Sequence, residues 1–240
     1  MTGNGAGNQA PALEARGIAA GYGPQPVIHD IDIDVRPGEV VALLGANGAG
    51  KTTTLLTLAG ELPVLKGEVA IDGIVTTAPL YKRALNGLTF VTEEKSVFMA
   101  LSTRDNLRVA GVDVDEALTL FPELARRLDV RGGLLSGGEQ QMLTLARALA
   151  RKPRVLLADE LSMGLAPLVV KRLLEAVRAA ADERGAAVLL VEQHVRRALR
   201  YADRAYVMRR GRIELYGSAS DLRSRIDEIE DHYLSTAAPV

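Results

Sequence analysis

The chain has 240 residues, enough for one or two domains with a sizeable core. Its 48% hydrophobic and 25% charged residues match an ordinary globular protein, and a net charge of −1 gives no bulk attraction to nucleic acid or anionic lipid. Cysteine is absent, which excludes disulfides and thiolate metal sites, and the three histidines (His29, His194, His232) stand far apart without zinc-ligand spacing.

The N-terminal stretch Met1–Ala10 has no basic start and no apolar run, so it reads as a flexible tail over 1–11 and not as a secretory signal. Ile31-Asp-Ile-Asp-Val35 alternates apolar and polar residues, the period of a half-buried strand, and Pro37-Gly38 breaks it. Val40–Leu44 is an unbroken apolar run of the kind buried on both faces. A glycine-rich turn follows, then a helix over Thr52–Leu58 and a short strand over Gly67–Gly73. From about Ser102 to Ala150 there is no clear strand. Helix starts at Asp113-x-x-Glu116 and Ser136-x-x-Glu139 mark this stretch as a helical insertion.

Val155–Ala158 and Val188–Val191 repeat the doubly buried strand type. Between them Pro167 opens a helix over Leu168–Arg184, with Val170, Leu173, Leu174 and Val177 on one face. Tyr206–Tyr216 reads as a hairpin turning near Gly211, and Ser220–Leu234 as a charged peripheral helix. The alternation of strands and helices predicts an α/β fold with a largely parallel sheet. No apolar run approaches the ~20 residues that span a bilayer. Any service to a membrane would therefore pass through a partner.

Three motifs carry chemistry. Gly45-Ala-Asn-Gly-Ala-Gly-Lys51-Thr52 matches G-x-x-x-x-G-K-[ST] between a buried strand and a helix. Its glycines let backbone N–H groups turn inward around phosphates, and the following helix aims its positive end at the same anion. Lys51 adds a charge for the β- and γ-phosphates, and the Thr52 hydroxyl is placed for Mg²⁺. Read alone, the motif is a glycine-rich turn with a chance lysine, which the flanking strand and helix disfavour. Second, Val155-Leu-Leu-Ala-Asp159-Glu160 ends a buried strand in two acids, where Asp159 would hold Mg²⁺ and Glu160 would orient or deprotonate water. Third, Leu135-Ser136-Gly137-Gly138-Glu139-Gln-Gln141 opens a helix with a capping box. It is at least a well-capped helix start, and its bare glycines also suit a second anion site.

The order of these motifs resembles the ATP-binding subunits of ABC transporters, and Leu135–Gln141 looks like their signature sequence. The resemblance covers roughly Leu13 to Gly217. It implies a P-loop NTPase core of RecA-like type with an antiparallel β subdomain and an inserted α-helical subdomain. The nucleotide-binding core would span 12–92 and 151–217, the helical subdomain 93–150 and the C-terminal helix 218–240, all within one ATPase domain. The implied cofactors are ATP and Mg²⁺, and the implied partners are transmembrane subunits at the cytoplasmic face of the membrane. A second ATPase subunit, identical or related, would complete a dimer in which Ser136, Gly137 and Gly138 contact ATP held by the other chain.

On that ATP the resemblance places Gly45, Asn47, Gly48, Gly50, Lys51, Thr52 and Thr53 at the phosphates and Tyr22 stacked on adenine. His194 would be the switch histidine at the γ-phosphate, and Glu160, His194 and Lys51 would act in catalysis. Thr52, Glu93 and Asp159 would serve Mg²⁺.

Several positions depart from the family pattern. Glu93 stands where glutamine is usual, Leu161 where proline follows the double acid, and Ala166 where an aspartate is usual. Ser162-Met-Gly-Leu-Ala-Pro167, Glu93 and Glu139-Gln-Gln-Met142 look like the branched-chain amino acid importers, with urea and short-amide importers close by. Leu161 and His194 differ from that subgroup, where proline and often asparagine stand. Two rival readings are a soluble ABC-type switch on nucleic acid or ribosomes and a nucleotide-binding regulator with little hydrolysis. The first lacks the duplicated unit or long coiled-coil insertion such proteins carry. Retained Lys51, Asp159, Glu160 and His194 weigh against the second.

Overall fold

The strands that are apolar throughout gather in one sheet, and the alternating strand ends in another. The computed structural model describes residues 10–231. The chain runs through β1 (Leu13–Ala20), β2 (Ile28–Val35), β3 (Val40–Leu44), α1 (Lys51–Ala59) and β4 (Val64–Ile71). Next come β5 (Ile74–Val75), α2 (Leu80–Leu85) and β6 (Leu88–Val91). A helical stretch follows, with α3 (Thr103–Val109), α4 (Val114–Leu120), 3₁₀ turns at Pro122–Arg127 and Gly132–Leu134, and α5 (Gly137–Leu149). The chain then passes through β7 (Val155–Asp159), α6 (Pro167–Arg184), β8 (Ala187–Glu192) and α7 (Val195–Tyr201). It closes with β9 (Arg204–Arg209), β10 (Arg212–Ser218), α8 (Ala219–Arg223) and α9 (Ile226–Ile229).

The larger sheet has the order β10-β9-β3-β8-β7-β6, parallel except for the β9–β10 hairpin. The smaller, β2-β1-β4-β5, is antiparallel. Successive side chains of a strand point to opposite faces, so a strand covered on both sides must be apolar at every position. In β3, Val40, Ala42 and Leu44 enter the core shared with α5, α6 and α7, while Val41 and Leu43 enter the core shared with α1 and the small sheet. Leu156 and Ala158 of β7 divide from Val155 and Leu157 in the same way.

Between β6 and β7 no strand forms among the described residues, and only an isolated bridge joins Ser102 to Arg131. The helical stretch is capped as its sequence predicts. Asp113 accepts from the Asp115 and Glu116 amides, and Ser102 caps α3. Leu107, Phe121, Leu124 and Met142 share one core with Leu156 and Ala158 of the large sheet, so the insertion is built onto that sheet's face.

The single helix expected over Ser220–Leu234 is instead two short ones. The Ser224 hydroxyl donates back to the Asp221 carbonyl at 2.6 Å, and Arg225 leaves helical geometry at φ −117° and ψ 22°, which ends α8. Residues 1–9 of the expected tail and 232–240 of the expected C-terminal helix lie outside the described residues. No helix among the described residues is long and apolar enough to cross a membrane.

Sheet register positions the site. Leu44 pairs with Glu192 and Asp159 with Val191, so β3, β8 and β7 end side by side. The residues that follow them, Gly45, Gln193 and Glu160, therefore emerge together at the carboxyl edge, where open parallel sheets bind ligands.

Candidate functional site

The loop after β3 is shaped by its glycines. Gly50 has φ +107°, and a Cβ there would lie 2.8 Å from Ile28 Cγ2; one on Gly45 would lie 2.6 Å from the Met208 carbonyl oxygen. Helix α1 then starts at Lys51 with no side-chain cap, leaving its first N–H groups directed at the loop. Lys51 is buried. Its Nζ donates to the carbonyls of Gly45 (2.9 Å) and Ala46 (3.1 Å) and lies 3.6 Å from Glu160 Oε1.

The acidic side is built by the end of β7. Asp159 is only 2% exposed, and its Oδ1 has no hydrogen-bond partner among the described residues. Burial drives its carboxyl up to about 6; a Thr52 hydrogen bond and Lys51 oppose this, and Glu160 and Glu93 add to it. Glu160 has a left-handed backbone, φ +46°, stabilised where its N–H donates to the Val191 carbonyl at 3.0 Å. That turn brings its carboxylate to Lys51 on one side and to Gln193 Nε2, 2.6 Å from Oε2, on the other. Glu192 is buried beneath. Burial raises its carboxyl to about 6, and the Ser162 hydroxyl donates to Oε2 at 2.7 Å, tying the turn after Glu160 to β8.

Lys51, Glu160 and Gln193 line one open cavity of about 300 Å³ with Asn47, Gly48, Gly50, Thr52, Thr53 and Glu93, while Gly45 and the buried Asp159 are not part of its lining. Its chemistry suits a phosphate chain accompanied by a divalent cation. Free amides and Lys51 face carboxylates, and the buried Asp159 oxygen lacks a donor. No three His, Asp or Glu side chains among the described residues converge tightly enough to hold a metal alone. Mg²⁺ at a nucleotide needs only one or two carboxylates from the protein, with phosphate and water oxygens supplying the rest.

Other expected residues lie elsewhere. Tyr22, between β1 and β2, is 67% exposed and does not line the cavity. Ser136 caps α5 in a complete capping box: its hydroxyl accepts from Glu139 N, and Glu139 Oε2 accepts from Ser136 N at 2.9 Å. Burial pushes the Glu139 carboxyl up, but Arg127 at 2.7 Å and Ser136 outweigh it and hold the carboxyl below its usual range. A Cβ on Gly137 would lie 3.0 Å from Lys95 Nζ, and one on Gly138 3.1 Å from Val169, so a side chain at either would have to shift those neighbours by a few tenths of an ångström. This turn shares no residue with the cavity.

His194 is exposed, heads α7 without a side-chain cap, and is likewise outside the cavity. Gln193, which motif order overlooks, occupies the cavity in its place. Its signal was positional, since it follows buried β8 as Glu160 follows buried β7. Leu161, where proline is usual, is a core residue at 1% exposure. Ala166 precedes Pro167 at the start of α6 with no side-chain cap.

A parallel sheet with a glycine-rich loop after β3, a Lys-Thr helix start and a double acid at the end of β7, one strand removed, defines a P-loop nucleotide-binding protein. The family model described as ABC transporter matches residues 28–162. The chain is 38% identical over 227 residues to the high-affinity branched-chain amino acid transport ATP-binding protein BraG of Pseudomonas aeruginosa, covering 90% of this chain and 97% of that one. It is 35% identical over 225 residues to the lipopolysaccharide export system ATP-binding protein LptB of Escherichia coli, covering 88% and 92%. A solved structure of an ATP-binding subunit of an ABC transporter superposes with a TM-score of 0.76 at 29% identity, covering 90% of this chain and 93% of that one. The chain belongs to the ABC transporter ATP-binding family. It is an ABC ATPase, a protein that binds and hydrolyses ATP.

Proposed function

We propose that the chain is the ATP-hydrolysing subunit of an ABC importer. It works as one half of a nucleotide-sandwiching dimer, peripheral to the cytoplasmic face of the membrane through separate transmembrane subunits. The observation that carries this reading is the separation of two phosphate-directed parts within one chain. The cavity at Lys51 and the Ser136–Gly138 turn have no residue in common, which supports a nucleotide closed between the cavity of one chain and the turn of another. The cargo we propose is a branched-chain amino acid or a related small polar solute, supported by the similarity to BraG. The comparable similarity to LptB, named for export, leaves direction to the membrane subunits.

In this reading Gly45, Asn47, Gly48, Gly50, Thr53 and Lys51 hold the phosphates, and Tyr22 stacks on adenine. Thr52, Asp159 and Glu93 would hold Mg²⁺, which when bound neutralises charge on the β- and γ-phosphates. The arriving phosphates draw Lys51 away from Gly45, Ala46 and Glu160. Freed of that cation, Glu160 takes a proton from the water whose oxygen attacks phosphorus as the bond to the ADP oxygen breaks. Ser136, Gly137 and Gly138 of the second chain contact the γ-phosphate, so its loss reopens the dimer. The segment 93–150 transmits that movement, because Glu93 lies in the cavity at its start and Ser136 in the same segment. Ligand shifts the equilibrium because it bridges only the closed state.

The test is Glu160→Gln in ATP and Mg²⁺. This variant should bind ATP, hydrolyse it slowly and elute as a dimer in size-exclusion chromatography with light scattering. A strictly monomeric variant that binds ATP would count against the sandwich.

A further inference from the structure

A second cavity, of about 650 Å³, opens at the amino-terminal edge of the large sheet. Gly87 and Arg154, which line it, immediately precede β6 and β7, whose carboxyl ends lead instead to Glu93 and Glu160. The two cavities share no lining residue. This one combines the apolar side chains of Ile71, Ile74 and Leu85 with three cations, Arg83, Lys152 and Arg154. Ile74 is 72% exposed and Leu85 80%, so its apolar part is open to whatever fills it. Lys152 and Arg154 each have a carboxylate, Glu116 at 3.2 Å and Asp72 at 2.8 Å. Arg83 has none among the described residues and is only 3% exposed. Burial alone pulls its pKa below the usual guanidinium value, with no acid to offset it.

The Arg83 guanidinium is held by carbonyl dipoles. Helix α1 ends at Gly60, where a Cβ would lie 2.7 Å from Arg83 Nε, so the glycine makes room for it. Nε donates to the Ala78 carbonyl at 2.7 Å and Nη2 to that of Thr76 at 3.3 Å. Nη1 donates to the Leu58 and Thr57 carbonyls at 2.5 and 3.4 Å. A guanidinium has five N–H donors, so these four bonds leave one. Carbonyls satisfy hydrogen bonds but do not neutralise a cation, and buried charges are ordinarily paired. We propose that this cavity binds a small aliphatic carboxylate, its anionic group at Arg83 and the neighbouring Asn86 amide and its chain against Ile71, Ile74 and Leu85. The surplus is a single positive charge, which one carboxylate matches. A phosphate dianion would bring more charge than the cavity offsets, and an uncharged chain would leave Arg83 without a counter-ion. The site is independent of the hydrolytic reading, because it uses none of the nucleotide cavity's residues.

The experiment follows isoleucine and leucine methyl NMR signals of the purified full-length chain during titration with hexanoate. The signals of Ile71, Ile74 and Leu85 should move and saturate, half-way at about 3–20 mM, the range that a probe of about eight non-hydrogen atoms reaches. Acetate carries the charge without the chain and hexan-1-ol the chain without the charge. Each should bind about tenfold or more weakly than hexanoate, as should inorganic phosphate. Arg83 also secures α1 against α2, so replacing it would test the fold and the ligand together. Leu85→Glu avoids this, because it places the neutralising acid at an exposed position. That variant should keep its melting temperature and bind hexanoate about tenfold or more weakly. No saturable movement of these methyl signals up to about 50 mM hexanoate would overturn the proposal. So would hexan-1-ol or phosphate binding as tightly as hexanoate, or a Leu85→Glu chain that binds hexanoate like the unaltered one.

Discussion

Replacing Asp159 by asparagine should make the nucleotide-free protein more stable while removing its use of Mg²⁺. Asp159 is buried at the end of β7 with one oxygen unpartnered, and burial above all raises its carboxyl from 3.8 to about 6. A rise of about two units corresponds to roughly 3 kcal/mol by which the fold disfavours the ionised form. The folded protein binds this proton more tightly than the unfolded chain. Stability therefore falls as pH climbs from about 4 to about 6, and the full cost is present above that window. Asparagine keeps the shape and an acceptor for Thr52 but carries no charge. The variant should gain about 3 kcal/mol at about pH 7.5 and only about 1 kcal/mol at about pH 4.5. Urea unfolding followed by circular dichroism, in a chelator at both pH values, measures this directly. An equally or less stable Asp159→Asn at the higher pH would refute the reasoning, because the carboxylate would then not be held at a cost that a cation could relieve.

Two further substitutions separate the two halves of the proposed site. Lys51→Ala should weaken ATP binding by about 10- to 100-fold, the worth of a charge-assisted hydrogen bond, in a nucleotide titration; unchanged affinity would remove the phosphate assignment. Ser136→Ala should cost about 1 kcal/mol of stability through the lost cap, seen in urea unfolding. It should leave ATP binding to monomers unchanged and weaken ATP-dependent dimerisation; loss of monomer binding would contradict a role toward the second chain.

Much of this was legible because the informative residues obey local rules. The doubly buried strands announce themselves by unbroken apolar runs, since both faces are covered, and β7 and β8 turn polar only at their last residues, Asp159 and Glu192. The phosphate loop needs glycine where φ is positive, and Ser136 with Glu139 forms the capping box that its spacing predicts. β1 was not legible. Leu13-Glu-Ala-Arg-Gly-Ile-Ala-Ala has little strand propensity and contains Gly17 at φ +55°, where its pairing with both neighbours shifts register. It is a strand because β2 and β4 flank it. The short α2 was invisible too, held in part by the nearly buried Arg83, which donates to carbonyls of Thr57 and Leu58 at the end of α1. His194 and Gln193 show the limit most clearly. Motif order favours the histidine, but the direction of a side chain leaving a strand is set by tertiary register.

The most direct measurement of the central claim uses the lack of cysteine in this chain. Asn47→Cys, at the cavity, and Ser136→Cys are introduced into separate chains, both carrying Glu160→Gln, and mixed with a short thiol cross-linker. The account predicts a covalent dimer that contains one chain of each kind and forms only when ATP and Mg²⁺ are present. Cross-linking within single chains that carry both cysteines, or none between chains under any nucleotide condition, would contradict it.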